Sequence, residues 1–489
     1  MANTNDLKTS FSWKMLERIS AQLVQFVVQI VLARLLTTSD FGNLAITVAI
    51  SNFAAIFVQS GLSTAIVQKK DLSQEDVDTT FTLSLLISLV LYSVIFVGAP
   101  WLQRFYGSDS LAMYIRATAL VLLPGAGVAV FTGVLEREMN FKTLFLRSVV
   151  IVPISGVIGV FMAYQGFGIW SLIGQLLSNQ LLTCLILMIG SKRRIRLRLY
   201  PASAKSIFGF SIKILLQALM SELGTSLRSL IIGKRHSVDA LAYFDKGATY
   251  TFYVYQTIDA TVSRVMLPVF SRNQDSPQEL RAVLRRSIQL NSFVTVPLLL
   301  GFAAVARQFI VIVLTEKWLA AQSFIMLFCV IRLVMIMKNL IIQVYYALGH
   351  SGAVLKLQIW DTVLTVALLL ITSRIGVIAI TVGMIVTELI FGLRISMGVS
   401  RLTGYSCKEQ MKDIMKPLIS GTAMFAAVYS MNLLTWNAWA LLAAQILCGG
   451  AVYVFFSWLL RNEDLGYLWF QLKEIIKRIK IKFGGKNNV

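Results

Sequence analysis

The sequence predicts an all-α, polytopic membrane protein of about fourteen transmembrane helices, with two pseudo-symmetric six-helix lobes around a central cavity and two further helices at the C-terminus. Three observations lead there. Hydrophobic residues make up 56% of the 489 and charged ones 14%, and the mean hydropathy is +0.72, a composition foreign to a soluble chain of this length. Apolar runs of about the 20 residues that span hydrocarbon recur along the whole chain. The first and seventh of these runs carry the same polar stripe in the same register, 199 residues apart.

The runs fall near 11–36, 41–67, 79–100, 111–131, 147–164, 168–190, 206–233, 241–270, 287–314, 320–348, 353–372, 376–400, 413–434 and 437–460. The first is too long for a cleaved signal peptide and lacks a small-residue cleavage site, so it is expected to remain as an anchor. In it Lys14, Arg18, Gln22, Gln25 and Gln29 recur every three or four residues, sharing one helix face within an arc of roughly 80°. Lys213, Gln217, Ser221, Gly224 and Arg228 repeat that spacing, and an acidic turn follows each stripe, at Asp40 and Asp239. Hydrocarbon rewards no such stripe, so both are expected to face water or a polar ligand. With an even number of spans in each unit, the repeat is parallel about an axis along the membrane normal, a transporter plan. Gly166-Phe167-Gly168-Ile169-Trp170 and Arg374-Ile375-Gly376-Val377-Ile378 form a second, weaker correspondence 208 residues apart. The predicted boundaries are an N-lobe at 1–205, a C-lobe at 206–405, helices thirteen and fourteen at 406–464, and an amphipathic basic cytoplasmic tail at 465–489.

The net charge of +21 reads first as a topology signal. With both termini cytoplasmic, most of the 45 lysines and arginines lie on the inner side. The densest cluster, Lys192, Arg193, Arg194, Arg196, Arg198 and Lys205, falls between helices six and seven, and a second runs from Lys473 to Lys486. Trp101, Trp170, Trp318, Trp436 and Trp439 fall at outer boundaries and Trp13, Trp458 and Trp469 at inner ones, as an aromatic belt requires; Trp360 lies within a span. In the tail, Leu465, Leu468, Leu472, Ile475, Ile476, Ile479 and Phe483 oppose Lys473, Lys477, Arg478, Lys480 and Lys482, the pattern of a helix lying on the membrane surface.

No loop is large enough to fold alone, so a soluble catalytic domain is excluded and an enzyme is not expected. Cys184, Cys329, Cys407 and Cys448 have no metal-like spacing, and no cofactor is expected. Asp76-Val77-Asp78 is a DxD pattern without a nucleotide-binding fold around it, and reads as a helix N-terminus whose dipole favours acids. His236 and His350 sit at helix ends on opposite sides and form no acid/base pair.

Five charges remain near the middle of spans: Glu222 in helix seven, Asp259 in eight, Arg332 and Lys338 in ten, and Glu388 in twelve. Each costs about 2.5–3.5 kcal/mol on insertion scales, so each needs an interior partner or an interior task. Arg332, Asn339 and Gln343 share one face; Arg264 lies near the inner end of helix eight, as Arg18 does in one, and Arg228 near the outer end of seven. The substrate path is therefore expected to be lined by Lys14, Arg18, Gln22, Gln25, Gln29, Arg228, Arg264, Arg332, Lys338 and Asn339, with Glu222, Asp259 and Glu388 available for ion or proton coupling. The alternative is that these charges are internal ion pairs that fix helix packing. Cations outnumber acids, so the cavity suits an anion.

Several motifs make the chain familiar. Val31-Leu32-Ala33-Arg34-Leu35-Leu36, then Asp40-Phe41-Gly42-Asn43-Leu44, Gly61-Leu62-Ser63 and Ile66-Val67-Gln68-Lys69 resemble the opening of bacterial polysaccharide flippases, the Wzx-type exporters of O-antigen, colanic-acid and exopolysaccharide repeat units. The resemblance continues in order through Leu135-Glu136-Arg137 with Phe141-Lys142, Gly168-Ile169-Trp170-Ser171-Leu172, Ile231-Ile232-Gly233-Lys234, Val265-Met266-Leu267-Pro268-Val269-Phe270-Ser271, Glu316-Lys317-Trp318 and Ala347-Leu348-Gly349. It implies membership of the multidrug/oligosaccharidyl-lipid/polysaccharide exporter superfamily in the bacterial inner membrane. The implied substrate is an undecaprenyl-pyrophosphate-linked oligosaccharide, moved from the cytoplasmic to the periplasmic leaflet by alternating access, with a polysaccharide polymerase and a chain-length regulator as partners and no nucleic acid. One departure stands out: relatives often carry an Asn or Asp pair ahead of the Ile-Ile-Gly of helix seven, where this chain has Arg228 and Ser229. Rival readings are a cation-drug antiporter, which would want acids dominating its cavity, a lipid II flippase, and a membrane polymerase or acyltransferase, which would want a sizeable outer loop or an embedded histidine.

Overall fold

A computed structural model describes residues 22–59, 62–69, 71–191, 193, 195–462 and 464–466, and among them no strand occurs. The helices are α1 (Gln22–Leu35), α2 (Thr38–Gln59), α3 (Leu62–Gln68), α4 (Gln74–Tyr106), α5 (Leu111–Ala119), α6 (Leu122–Arg137), α7 (Phe141–Tyr164), α8 (Ile169–Gly190) and α9 (Pro201–Arg235). They continue with α10 (Val238–Arg272), α11 (Pro277–Ala304), α12 (Ala306–Phe309), α13 (Gln322–Ala347), α14 (Ser351–Thr372), α15 (Val377–Thr403), α16 (Cys407–Ser430) and α17 (Ala438–Leu459). Among the described residues, helix covers most of each predicted run; residues 11–21 of the first and 60–61 of the second lie outside them. Ten of the described spans are long and apolar enough to cross a membrane. The tail predicted from 465 onward lies outside the described residues from 467.

Local chemistry sets the helix ends. Ser73 and Asp76 form a capping box at the start of α4, and Ser406 and Glu409 form another at the start of α16, each satisfying backbone N–H groups that the helix leaves open. Ser276 caps α11, with Pro277 in the first turn where its missing N–H costs nothing. The acidic turn after the first stripe is also a cap: the backbone N–H and hydroxyl of Thr37 both donate to Asp40, at 3.0 and 2.7 Å. Its counterpart Asp239 accepts from the Thr38 hydroxyl at 2.5 Å. Gly107 ends α4 in the left-handed region, φ 70°, which a side chain rarely adopts.

The chain divides into two compact units, 1–245 with 369–377, and 246–368 with 378–489. Sequence repeat and packing therefore cut the chain at different places: α9, which opens the second repeat, packs in the first unit. Its grip there is specific. Ser226 donates to the Ala49 carbonyl at 3.2 Å, Tyr106 to the Leu230 carbonyl at 2.9 Å, and Lys234 to the Phe105 carbonyl. At Gly42 a Cβ would collide with the Val238 backbone, so only glycine permits that approach. Three clusters fill the rest of this unit, among them Phe131, Leu135, Leu144 and Leu187.

In the second unit one core gathers Phe270, Leu284, Ile341, Tyr345, Phe391 and Tyr405, and another joins Phe293, Met424, Val428 and Tyr453, whose hydroxyl donates to the Phe293 carbonyl at 2.8 Å. One end of the α11–α16 pair is stitched by charge. Arg281 meets Glu409 at 2.8 Å, and Arg285 grips Asp413 with two bonds of 2.8 and 3.0 Å. Tyr405 and Gln289 also donate to Asp413, and Arg286 pairs with Asp464 at 2.5 Å.

Candidate functional site

The midpoint of α13 carries a charge that meets no acid among the described residues. Arg332 is half-buried, and among the described residues no carboxylate lies within ion-pair distance of it. Aromatic rings surround it instead: its guanidinium carbon lies 5.3 Å from the Tyr255 ring centroid, 5.4 Å from Phe252 and 5.7 Å from Phe328. Such cation–π contacts stabilise a cation by about 0.5–2 kcal/mol each without occupying its N–H groups. Its hydrogen bonds are long, 3.4 Å to the Ala248 carbonyl and 3.3 Å to Met335 Sδ, and Nε is buried with no partner. The group is held in place while most of its bonding capacity remains open.

The neighbouring polar residues are satisfied. Two turns along α13, Asn339 Nδ2 donates to the Tyr255 hydroxyl at 2.8 Å and to Asp259 at 3.0 Å, so Tyr255 links the aromatic cage to the acid. Lys338 and Glu388 meet at 2.5 Å, and the Lys338 ammonium also lies 4.6 Å from the Phe391 ring centroid. Glu222 accepts from Ser226 at 2.9 Å in the first unit.

Other predicted positions fall as follows. On α1, Gln22, Gln25 and Gln29 are half-buried on one face, while Leu23, Val24, Val27, Val28 and Val31 line an apolar groove of about 610 Å³ with α7, a surface suited to acyl chains. Arg228 is half-buried and donates to the Thr225 hydroxyl at 3.4 Å. Lys14 and Arg18 lie outside the described residues, as does the side chain of Arg264. The DxD pair is buried at the start of α4, with Asp76 in the capping box and salt-bridged to Lys69 at 2.6 Å. Among the described residues no group of three His, Cys, Asp or Glu is placed to hold a metal.

The cage residues Phe252, Tyr255 and Phe328 are absent from the sequence expectation. Two signals existed: Phe328 precedes Arg332 by one turn, and Phe252 and Tyr255 lie three apart on one helix face. What no spacing supplied was that α10 and α13 bring the two signals together.

The profile of the family described as "Polysaccharide biosynthesis protein" matches residues 31–323, more than half of the chain. The chain belongs to that family. Relatives of this polysaccharide biosynthesis protein include the teichuronic acid biosynthesis protein TuaB of Bacillus subtilis, 22% identical over 92% of this chain and 95% of the relative. The succinoglycan biosynthesis transport protein ExoT of Rhizobium meliloti is 23% identical over 65% and 64%, and the lipopolysaccharide biosynthesis protein WzxC of Escherichia coli 22% over 76% of each. In fold it is similar to the lipid II flippase MurJ in an inward closed conformation, with a TM-score of 0.76 at 14% identity over 92% of this chain and 99% of that one. An inward-facing multidrug resistance MATE transporter of the MOP superfamily superposes with a TM-score of 0.60 at 18% identity, over 81% of this chain and all of that one. This family member has ten described spans long and apolar enough to cross a membrane, and it shares its fold with those solved structures.

Proposed function

We propose that this polysaccharide biosynthesis protein moves undecaprenyl-pyrophosphate-linked oligosaccharide repeat units from the cytoplasmic to the periplasmic leaflet of the bacterial inner membrane by alternating access, with both termini cytoplasmic. The observation that carries the proposal is Arg332, a mid-span cation held by three rings and, among the described residues, paired with no acid. Burying a bare pyrophosphate in hydrocarbon costs tens of kcal/mol in the idealised limit, so its path needs fixed cations. A guanidinium meets phosphate oxygens with a planar fork, the contact this reading assigns to Arg332.

The rings serve a second purpose, because an aromatic face that cradles a cation also stacks against the apolar face of a sugar. The half-buried glutamines of α1 would bond sugar hydroxyls. In this reading Arg18 and Arg264 receive the headgroup from inside, Arg332 takes it at mid-depth, and Arg228 meets it on the outer side. Lys338 then acts through its pair with Glu388: protonation of Glu388 would free the ammonium, a route by which ion or proton binding could be coupled to transport. A cation-drug exporter fits less well, since the acids described in the second unit's mid-span site, Asp259 and Glu388, are already engaged by Asn339 and Lys338.

The test is leaflet-specific. In a strain lacking this protein, lipid-linked repeat units should accumulate on the cytoplasmic leaflet, and wild type should clear them. Arg332→Gln, made to equal level and equal thermal stability, should leave them there. Full clearance by that variant would remove the proposal's support.

A further inference from the structure

The basic connection between α8 and α9 is a built surface. Its backbone is strapped to the first turns of α4: the Arg196 N–H donates to Asp78 at 3.1 Å, the Tyr200 N–H to the Thr79 hydroxyl at 3.1 Å, and the Thr82 hydroxyl to the Arg198 carbonyl at 3.1 Å. Asp78 is 3% exposed and is itself held by Gln74 at 2.9 Å, and Ile195 packs against Phe81 and Phe131. Between these ties the Arg198 N–H bonds back to the Arg196 carbonyl at 2.9 Å, closing a γ-turn with Leu197 at its tip. Leu197 is 67% exposed.

Three of the neighbouring described cations are already engaged. Lys69 pairs with Asp76, Arg193 with Glu138 at 3.2 Å, and Arg137 donates to the carbonyls that end α3. Arg196 and Arg198 differ: both are exposed, and among the described residues neither side chain has a hydrogen bond or ion pair. Exposed Lys205 follows on the first turn of α9. The buried DxD aspartates thus have a task in this chain, one of them being to hold this turn.

We propose that the Arg196-Leu197-Arg198 turn is a docking site for anionic phospholipid headgroups of the bilayer. The turn lies level with the start of α4, whose apolar run begins at residue 79, so it sits at the membrane boundary. A protruding leucine between two free arginines matches an interface whose acyl boundary takes the apolar tip and whose headgroup phosphates take the fork. The tip selects a lipid surface over an acidic protein, since a soluble acidic partner gives Leu197 nothing to bury in. Asp78 and Thr79 are positioning residues: they touch no lipid, and fix where the arginines stand.

The experiment uses full-length protein in detergent, titrated with phosphatidylglycerol or phosphatidylcholine, with bound lipid counted by native mass spectrometry. Wild type should retain phosphatidylglycerol over phosphatidylcholine. Arg196→Gln/Arg198→Gln should weaken that retention by about 30-fold, on the order expected from two juxtamembrane arginines. Lys408→Gln/Lys412→Gln, the same charge change on α16, should alter it less than about twofold. Asp78→Ala, which keeps every cation, should weaken retention by about threefold if the strap positions them. Equal losses in the two double variants, equal retention of both lipids, or an acidic protein or undecaprenyl pyrophosphate displacing phosphatidylglycerol from this turn would overturn the proposal.

Discussion

Two places in the second unit treat positive charge in opposite ways. At one end of the α11–α16 pair three arginines of α11 each have a carboxylate: Arg281 with Glu409, Arg285 with Asp413, Arg286 with Asp464. Midway along α13, Arg332 has three aromatic rings and, among the described residues, no acid. The first arrangement saturates its guanidinium groups and so has nothing left for a ligand. The second keeps a cation desolvated yet available, which packing alone would not select, because a paired or apolar residue would cost less there. Lys338, nearly three turns from the cage residue Phe328 and adjacent to Asn339, falls on the paired side of the comparison through Glu388.

The comparison breaks most sharply at Arg332. Arg332→Gln should lower transport by about 100-fold, the scale of losing one charge-assisted, bidentate phosphate contact, while thermal stability stays within a few degrees of wild type. Next comes Glu388→Gln, which leaves Lys338 buried beside an amide and should cost about 3 kcal/mol, read as a clear fall in melting temperature in detergent. Adding Lys338→Met should recover much of that stability, because an apolar pair of similar volume needs no compensation. Asp413→Ala should cost about 2 kcal/mol, since it strands the Tyr405 hydroxyl and the Arg285 fork together, yet transport per folded molecule should be unchanged.

A smaller effect is expected at the α16 cap. The Ser406 backbone N–H, then its hydroxyl, and then Arg281 hold the Glu409 carboxyl below its ordinary value of 4.5. A folded value below the unfolded one means that the cap's contribution is present above the ordinary carboxylate range and fades as pH falls through the folded value. Melting temperature followed downward from neutral pH should show that loss in wild type and not in Glu409→Gln.

Much of this was legible in the sequence, for reasons that differ by residue. The helices were legible because hydrocarbon demands long apolar runs whatever the tertiary fold. The acidic turns at Asp40 and Asp239 were visible as positions, although their work as cap and tether needed Thr37 and Thr38 in place. Mid-span charges were identifiable by cost alone. Which of them pair was not, because Lys338 and Glu388 are 50 residues apart and Asp259 and Asn339 are 80, and helix spacing says nothing about contacts between helices. The packing of α9 with the first unit was hidden for the same reason: it depends on Gly42 and Ser226 meeting neighbours far along the chain. The DxD pair was readable as a helix start, but its hold on the Arg196 turn required the fold.

The most direct test is equilibrium binding of a polyprenyl-pyrophosphate oligosaccharide to purified protein in detergent, comparing wild type with Arg332→Gln and with Arg285→Gln, an arginine of the saturated kind. The account predicts affinity about 100-fold weaker for Arg332→Gln and unchanged for Arg285→Gln. Equal affinity of Arg332→Gln and wild type for the pyrophosphate-bearing ligand would contradict it.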